Sequence, residues 1–549
     1  MPTVSAHVAS TLARHIDSVF GVMGNGNAYF LDALERSTDV SFTAVRHEAG
    51  GVVAADAYHR AGGGLAAATA TYGAGFTNTL TALAESVLAR VPLILVVGDE
   101  PTSGPRPWDV DQIALASAVG ARTYTVGRAD AAATTAIAVE HALTYRVPTV
   151  LAIPYDVAKL DAGPVPSAPE PVVPLPLAPA PFAQAAIGEL AAALARAERP
   201  LLLAGRGAWL AGASDALGRL ADATGAITAS TALGRGVFPR AEYDLGVTGG
   251  FGAEPAMELI RTADVAVVFG ASLNQFTMRF GELFAPATRV VQVDIAPTAT
   301  HPHVGGFIRG DADLVASALA DEVARIGSAP SGWRESLDVP ALRVYEPGTE
   351  FAADGRLDPR SVARRIGELL PEDRVVVSDG GHFLGWSNMY WPVAAPDRMM
   401  MIGTAYQSIG LGFPSVPGAA LARPDSTIVL TTGDGGGLMA LADLESAVRV
   451  AGGRGLAVVW NDAAYGAEVN LYGLFGLATA PMMIPDVDFA GFARAVGADG
   501  VVVRTLADLD ALQRWAASPP AERPFLLLDC RISTSVIAPY QQEIIRVNS

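Results

Sequence analysis

The chain has 549 residues, a mass of 56.6 kDa and a formal net charge of −18; 50% of its residues are hydrophobic and 17% charged. That balance excludes a mainly disordered protein, and an acidic chain without a basic cluster makes a poor nucleic-acid binder. No apolar run reaches the roughly 20 residues of a membrane helix, no secretory signal is read at Met1–Thr3, and Cys530 is the only cysteine, which excludes internal disulfides and thiolate metal clusters.

At roughly 150 residues per domain, the length predicts three or four domains in a large cytoplasmic enzyme. Two breaks divide the chain. Residues 163–181 are dense in proline and read as a semi-rigid linker. Residues 328–358 show no sustained periodicity. Three blocks remain, 1–162, 182–327 and 359–549.

Each block alternates short β-rich runs with helical stretches. In the first, 40–45, 65–71 and 92–98 read as buried strands, with helices over 49–61 and 77–90. The second predicts strands at 200–204, 263–269 and 289–294 and a helix over 310–326. The third predicts strands at 374–378, 427–432, 456–460 and 525–529. Continuous apolar strands separated by helices imply parallel sheets covered on both faces. Right-handed crossovers make these open, doubly wound α/β sheets with sites at the carboxyl ends of strands.

The most informative stretch is 427–468. A strand ends at Thr432, Gly433-Asp434-Gly435-Gly436-Gly437 follows, and a helix is expected from near Leu438, with Asp443 and Glu445 away from its apolar positions. The next strand runs into Asn461-Asp462. Asp434 and Asp462 then share one edge of adjacent strands. Glycines admit a bulky anion to backbone N–H groups, and a helix N-terminus favours negative charge. Two carboxylates beside an anion need a cation between them, and Mg²⁺ suits carboxylate, carbonyl and phosphate oxygens. The GxxxxGK[ST] lysine of a P-loop is missing. Alone, GDG in a glycine-rich chain is an ordinary turn; the second acid, one helix and one strand later, changes that balance.

Gly433-Asp434-Gly435, then 25 residues, then Asn461-Asp462 closely resembles the thiamine-diphosphate motif GDG…NN. The run RHEAGGVVAADAYHRAGG…TYGAGFTNTLTALAESVLARVPLILVVGD resembles the pyrimidine-binding domain of the same family. Nearly the whole chain is similar to the superfamily of acetolactate synthases and 2-oxo acid decarboxylases, in the order pyrimidine-binding, middle and diphosphate-binding domain. The resemblance implies Mg²⁺ held by the Asp434 and Asp462 side chains and the Ala464 carbonyl. It implies thiamine diphosphate held among Gly381, His382, Gly433, Gly435, Gly436, Tyr465 and Gly466, with Ile409 as an apolar wedge beneath it. Asp462 departs from the usual asparagine but remains a hard oxygen ligand, so Mg²⁺ binding is expected to survive.

Glu48 takes the place of the glutamate that hydrogen-bonds the aminopyrimidine ring, and is expected to be buried with a raised pKa. By itself it is an ordinary first-turn acid. Asn25, in Gly24-Asn25-Gly26-Asn27, matches a position over the reacting carbon, and Gln112 one where glutamine faces the cofactor; as plain residues they are turn and loop polar groups. Glu468 aligns with an acid used for protonation in simple decarboxylases. The paired histidines of the pyruvate-decarboxylase type are missing after Thr102.

The implied reaction is decarboxylation of a 2-oxo acid followed by carboligation of the resulting enamine to a second carbonyl compound. Alternatives are aldehyde release, a flavin-dependent oxidase and a catalytically silent homologue acting in assembly. Gly205-Arg206-Gly207 in the middle block leaves room for FAD without favouring it. The resemblance also implies a homo-oligomer, dimer or dimer of dimers, with the cofactor between two subunits. No nucleic-acid or membrane partner is expected.

Overall fold

A computed structural model describes residues 2–104, 106, 108–167 and 170–548. Three six-stranded sheets organise the chain, and every strand pair in them is parallel. The first holds β1 (Ser18–Gly21), β2 (Ser41–Ala44), β3 (Ala67–Ala70), β4 (Ile94–Asp99), β5 (Arg122–Thr125) and β6 (Thr149–Pro154), in the order β2-β1-β3-β4-β6-β5. The second holds β7 (Pro200–Ala204), β8 (Ile227–Ser230), β9 (Asp244–Val247), β10 (Val265–Phe269), β11 (Arg289–Asp294) and β12 (Gly306–Arg309), in the order β12-β11-β10-β7-β8-β9. The third holds β13 (Arg374–Ser378), β14 (Met399–Met401), β15 (Thr427–Gly433), β16 (Gly455–Asn461), β17 (Asp499–Val503) and β18 (Leu526–Arg531), in the order β14-β13-β15-β16-β18-β17. The fold is the expected set of three doubly wound α/β domains.

Every residue of β4, β6, β7, β10, β15 and β16 is buried. Helices on both faces bury such strands, which is why they read as unbroken apolar runs. The edge strands β2 and β5 carry exposed polar residues instead. Among the described residues no helix is long and apolar enough to cross a membrane.

The first and third domains pack directly on one another within the chain. Helix Glu48–Tyr58 lies against helix Gly412–Ala422 so closely that a Cβ on Gly418 would stand 1.9 Å from the Ala54 carbonyl oxygen. Nearby, buried Arg60 is held by Asp56 at 2.6 Å and Glu85 at 3.3 Å, and donates to the Met401 carbonyl. Glu85 also accepts the Tyr406 amide. Losing both acids would strand a buried cation, at a cost of about 3–5 kcal/mol.

Two expectations are corrected here. The helix expected from Leu438 starts at Asp434, so the aspartate itself opens it. Asp443 is buried rather than set outward, because it accepts the Arg46 backbone amide at 2.7 Å and the Ser446 hydroxyl. Residues 328–358 contain two short 3₁₀ turns, and their Val339 and Leu357 are buried. Residues 170–180 contain neither helix nor strand, and positions 168 and 169 of the proline-rich run lie outside the described residues.

Candidate active site

In the third sheet the strand order reverses between β13 and β15, which is where an open α/β sheet leaves a crevice at its carboxyl edge. Asp379-Gly380-Gly381-His382 leave β13 there, and Asp434 follows β15. Gly433 pairs with Trp460, so Asp434 and Asp462 leave adjacent strands at the same edge.

Asp434 is 3% exposed and Asp462 2%. One Asp434 oxygen accepts the Gly435 amide at 3.0 Å, while Oδ2 is buried without a partner. A buried polar atom left alone is costly. Burial, with the Asp462 charge adding to it, pushes the Asp434 pKa up to about 7. An orphaned carboxylate oxygen beside a second buried acid fits a divalent cation. Among the described residues no three His, Cys, Asp or Glu side chains are grouped to hold a metal. Backbone and ligand oxygens would have to complete the shell.

Asp462 Oδ1 accepts the Ala464 amide at 3.2 Å, and Oδ2 lies 2.9 Å from His382 Nε2. Burial lowers the His382 pKa, but the Asp462 charge and hydrogen bond, with Asp434 and Glu468, carry it upward overall. The Tyr540 hydroxyl donates to the His382 carbonyl. Ala463, at φ +60°, turns the chain so that buried Ala464 follows Asp462 into the site. Asn461 is turned away: its amide donates to buried Asp529 at 2.9 Å.

The glycines are required by space. A Cβ on Gly435 would sit 2.7 Å from Tyr465, one on Gly436 2.6 Å from Asp379, and one on Gly466 2.5 Å from His382. Gly381, at φ +143°, adopts a backbone that other residues avoid. Asp379 was not singled out by the sequence, yet it ties the crevice together. Its carboxylate accepts the Gly380, Gly410 and Leu411 amides and the Thr432 hydroxyl. Burial lifts its pKa to about 6 against these bonds. The loop carrying half-buried Ile409 is thereby fastened to the ends of β13 and β15.

The first-domain candidates gather at that domain's own reversal point, between β1 and β3. Glu48 opens the helix after β2 and accepts from Asn78 Nδ2 at 2.9 Å. It is half-buried, not buried as expected, because it stands at a helix N-terminus on the rim of the sheet. Asn25 is exposed and donates to the Tyr72 hydroxyl at 2.9 Å. Gln112 is buried: its oxygen accepts the Gly73 amide, and its nitrogen donates to the Gly98 carbonyl and to Asp99. Its amide therefore braces three loops and has little left to offer outward. Tyr72 and Arg106, neither of them expected, complete this cluster; the Arg106 guanidinium lies 3.8 Å from the Tyr72 ring centre. Glu468 is exposed on the short helix Gly466–Glu468, close enough for its charge to act on His382. Among the described residues, no hydrogen bond or ion pair links Glu48 to Asp434, Asp462 or Ile409.

Three doubly wound sheets, with a buried acid pair at the reversal point of the third, define a three-domain architecture suited to a diphosphate cofactor. Residues 2–117 match the N-terminal TPP binding domain of thiamine pyrophosphate enzymes, 187–319 the central domain, and 379–530 the C-terminal TPP binding domain. The chain belongs to the thiamine-diphosphate-dependent superfamily of acetolactate synthases and 2-oxo acid decarboxylases. It is 29% identical to a sulfoacetaldehyde acetyltransferase of Rhodobacter capsulatus over 99% of this chain and 96% of the relative. It is 27% identical to a probable acetolactate synthase large subunit of Methanocaldococcus jannaschii over 80% of this chain and 76% of the relative. The crystal structure of benzoylformate decarboxylase from Polynucleobacter necessarius shares the fold, with a TM-score of 0.79, 19% identity, and coverage of 98% of this chain and 99% of that one.

Proposed function

We propose that the protein uses thiamine diphosphate and Mg²⁺ to decarboxylate a 2-oxo acid and join the remaining carbon unit to a second carbonyl compound. The observation that carries this reading is the buried Asp434–Asp462 pair, with its unpartnered Asp434 oxygen, at a glycine-lined crevice. When bound, the cofactor supplies the electron sink for carbon–carbon bond cleavage and formation.

The chain's own residues would bind, orient and move protons. Asp434, Asp462 and the Ala464 carbonyl would hold the metal. Gly381, His382, Gly433, Gly435, Gly436, Tyr465 and Gly466 would receive the diphosphate, and Ile409 would pack against the rings. Glu48 would share a proton with the aminopyrimidine nitrogen. A Glu48 from a second copy of the chain would stand at each metal site. Asn25 would face the substrate, Gln112 would hold the surrounding loops, and Glu468 would supply a proton to the reacting carbon only on the branch that releases aldehyde. A flavin is not part of the proposal. Gly205 and Gly207 pack on Gly270, where an added Cβ would lie 2.5 Å and 2.8 Å from its backbone.

Ligation is favoured over simple aldehyde release by two points. The segment from Thr102 to Gln112 has no histidine to protonate the product carbon. Relatives carry the names acetolactate synthase and sulfoacetaldehyde acetyltransferase. The test is product analysis with a panel of 2-oxo acids, with and without an added aldehyde. A 2-hydroxy ketone or acid of increased carbon number is expected with the acceptor. Free aldehyde as the sole product with every acceptor would establish the decarboxylase alternative.

A further inference from the structure

Tyr72 stands where β3 ends, beside the loop that leaves β1, at the reversal point of the first sheet. Its ring is fixed on several sides. The Arg106 guanidinium lies 3.8 Å from the ring centre, and the Tyr155 ring meets it edge-on at 6.0 Å and 84°. A Cβ on Gly26 would stand 2.7 Å from Tyr72 Cδ1, and one on Gly98 would stand 2.6 Å from the Gly26 backbone and 2.9 Å from Tyr72 Cδ1. Arg106 is itself held by Asp109 at 2.9 Å, so its charge is matched locally and its flat face serves as a clamp.

A clamped tyrosine usually buries its hydroxyl on a protein acceptor. Here Tyr72 is half-buried, and its oxygen accepts from Asn25, itself exposed, at 2.9 Å. That bond uses a lone pair and leaves the O–H free to donate. Glu48 is on the same rim: a Cβ on Gly75, three residues beyond Tyr72, would lie 3.4 Å from Glu48 Oε1. A rigid, neutral donor on the same rim as the glutamate proposed to share the cofactor's proton suits an oxygen that gains negative charge during reaction.

We propose that the Tyr72 hydroxyl, oriented by Asn25 and held by Arg106, donates a hydrogen bond to the carbonyl oxygen of the acceptor as that carbon is attacked. The inference rests on the ligation reading above. It makes Tyr72 a residue that selects and activates the second substrate, with Asn25 positioning it.

Tyr72→Phe keeps the ring and its clamp and removes only the donor. The variant should melt at the wild-type temperature and bind thiamine diphosphate within twofold by calorimetry. Its kcat/KM for the aldehyde acceptor should fall about 100- to 1000-fold, while KM for the 2-oxo acid stays within twofold. In cofactor-free protein labelled with ¹⁵N-asparagine, the Asn25 side-chain amide signals should shift as their acceptor is lost. Unshifted Asn25 signals, an unchanged acceptor kcat/KM, or an equal loss for both substrates would each overturn the assignment. If the wild-type protein ligates no 2-oxo acid to any acceptor, the ligation reading falls and this inference with it, a result distinct from failure in the variant alone.

Discussion

His382 Nε2 lies 2.9 Å from Asp462 Oδ2, joining the loop after β13 to the loop after β16 across the crevice that contains Asp434. The contact holds one carboxylate oxygen while the Ala464 amide holds the other, so Asp462 is fixed in rotation. Groups that orient a metal ligand typically matter by about 10- to 100-fold in metal affinity. His382→Ala is therefore expected to weaken Mg²⁺-dependent binding of thiamine diphosphate by about that factor. Calorimetric titration of cofactor into the variant at fixed Mg²⁺ measures it, and wild-type affinity would remove His382 from the site.

The acids themselves should matter more. Asp434→Ala and Asp462→Ala each delete a buried charge that would offset the cation, and neither glycine loop can replace it. Both should lose metal-dependent cofactor binding, with a fall of more than about 100-fold, beyond that of a supporting residue. Asp462→Asn keeps an oxygen facing the same way and should retain binding. Asn461 cannot substitute, since its amide is engaged by Asp529. Retained affinity in Asp462→Ala would show that another group is the ligand.

Glu48→Gln tests the other half of the site. Its neighbour Asn78 donates to one carboxylate oxygen, and a glutamine oxygen can accept the same bond. Folding and cofactor affinity should therefore persist. Proton exchange at C2 of the bound cofactor, followed by NMR, should slow by about 10²- to 10⁴-fold, the usual weight of a positioned acid–base group. Unchanged exchange would remove the assignment.

The parts of this site that were legible in sequence are those that local chain geometry carries. Gly433-Asp434-Gly435 and Asn461-Asp462 are separated by one helix and one strand, so a parallel crossover alone brings them to one edge. The strands β4, β7, β11 and β15 were readable because both faces are covered. Short or polar strands such as β1 (SVFG) and β5 (RTYT) were not, because the sheet, and not the local pattern, makes them strands. Contacts between loops were also invisible. His382 and Asp462 are 80 positions apart, and Arg46 and Asp443 are 397 apart. Tyr72 and Arg106 are 34 positions apart, and the ring has room partly because Gly26 carries no Cβ. Asp443 read as outward because its partner is in another domain.

Asp244 gives a pH prediction away from the active site. It opens β9, is 8% exposed, and accepts the Gly246 amide at 2.9 Å. Burial pushes its pKa up to about 6, against the opposing charges of Arg343 and Arg235. Unfolded, the group would titrate near its ordinary value of 3.8. Between these values the folded state holds the extra proton, so raising the pH through the window favours unfolding. The loss attributable to this group is on the order of 2–3 kcal/mol, reached above about pH 6. Asp244→Asn keeps an acceptor for Gly246 and cannot ionise. Denaturant unfolding between pH 4 and 7 should give a shallower decline in the variant, and parallel curves would refute the shift.

Glu468 addresses the fate of the substrate carbon after CO₂ leaves. Aldehyde release needs a proton delivered to that carbon; ligation needs the proton kept away and a second carbonyl admitted. Glu468 is exposed beside the crevice, and its charge helps raise the His382 pKa, so it is near the metal end of the site without being buried in it. Across the proposed subunit boundary, the Asn25–Tyr72 pair offers neutral hydrogen-bonding groups. These suit an acceptor carbonyl better than proton delivery. Glu468→Gln should therefore slow aldehyde release more than it slows consumption of the 2-oxo acid when acceptor is present, because removing a donor affects only the branch that uses it. A fall of about 100-fold in aldehyde release is expected, the low end of a general acid's contribution. Parallel assays of CO₂, free aldehyde and 2-hydroxy ketone decide the matter. Equal loss of all three would place Glu468 before the branch, and no change in any would leave it a solvent-facing acid outside the reaction.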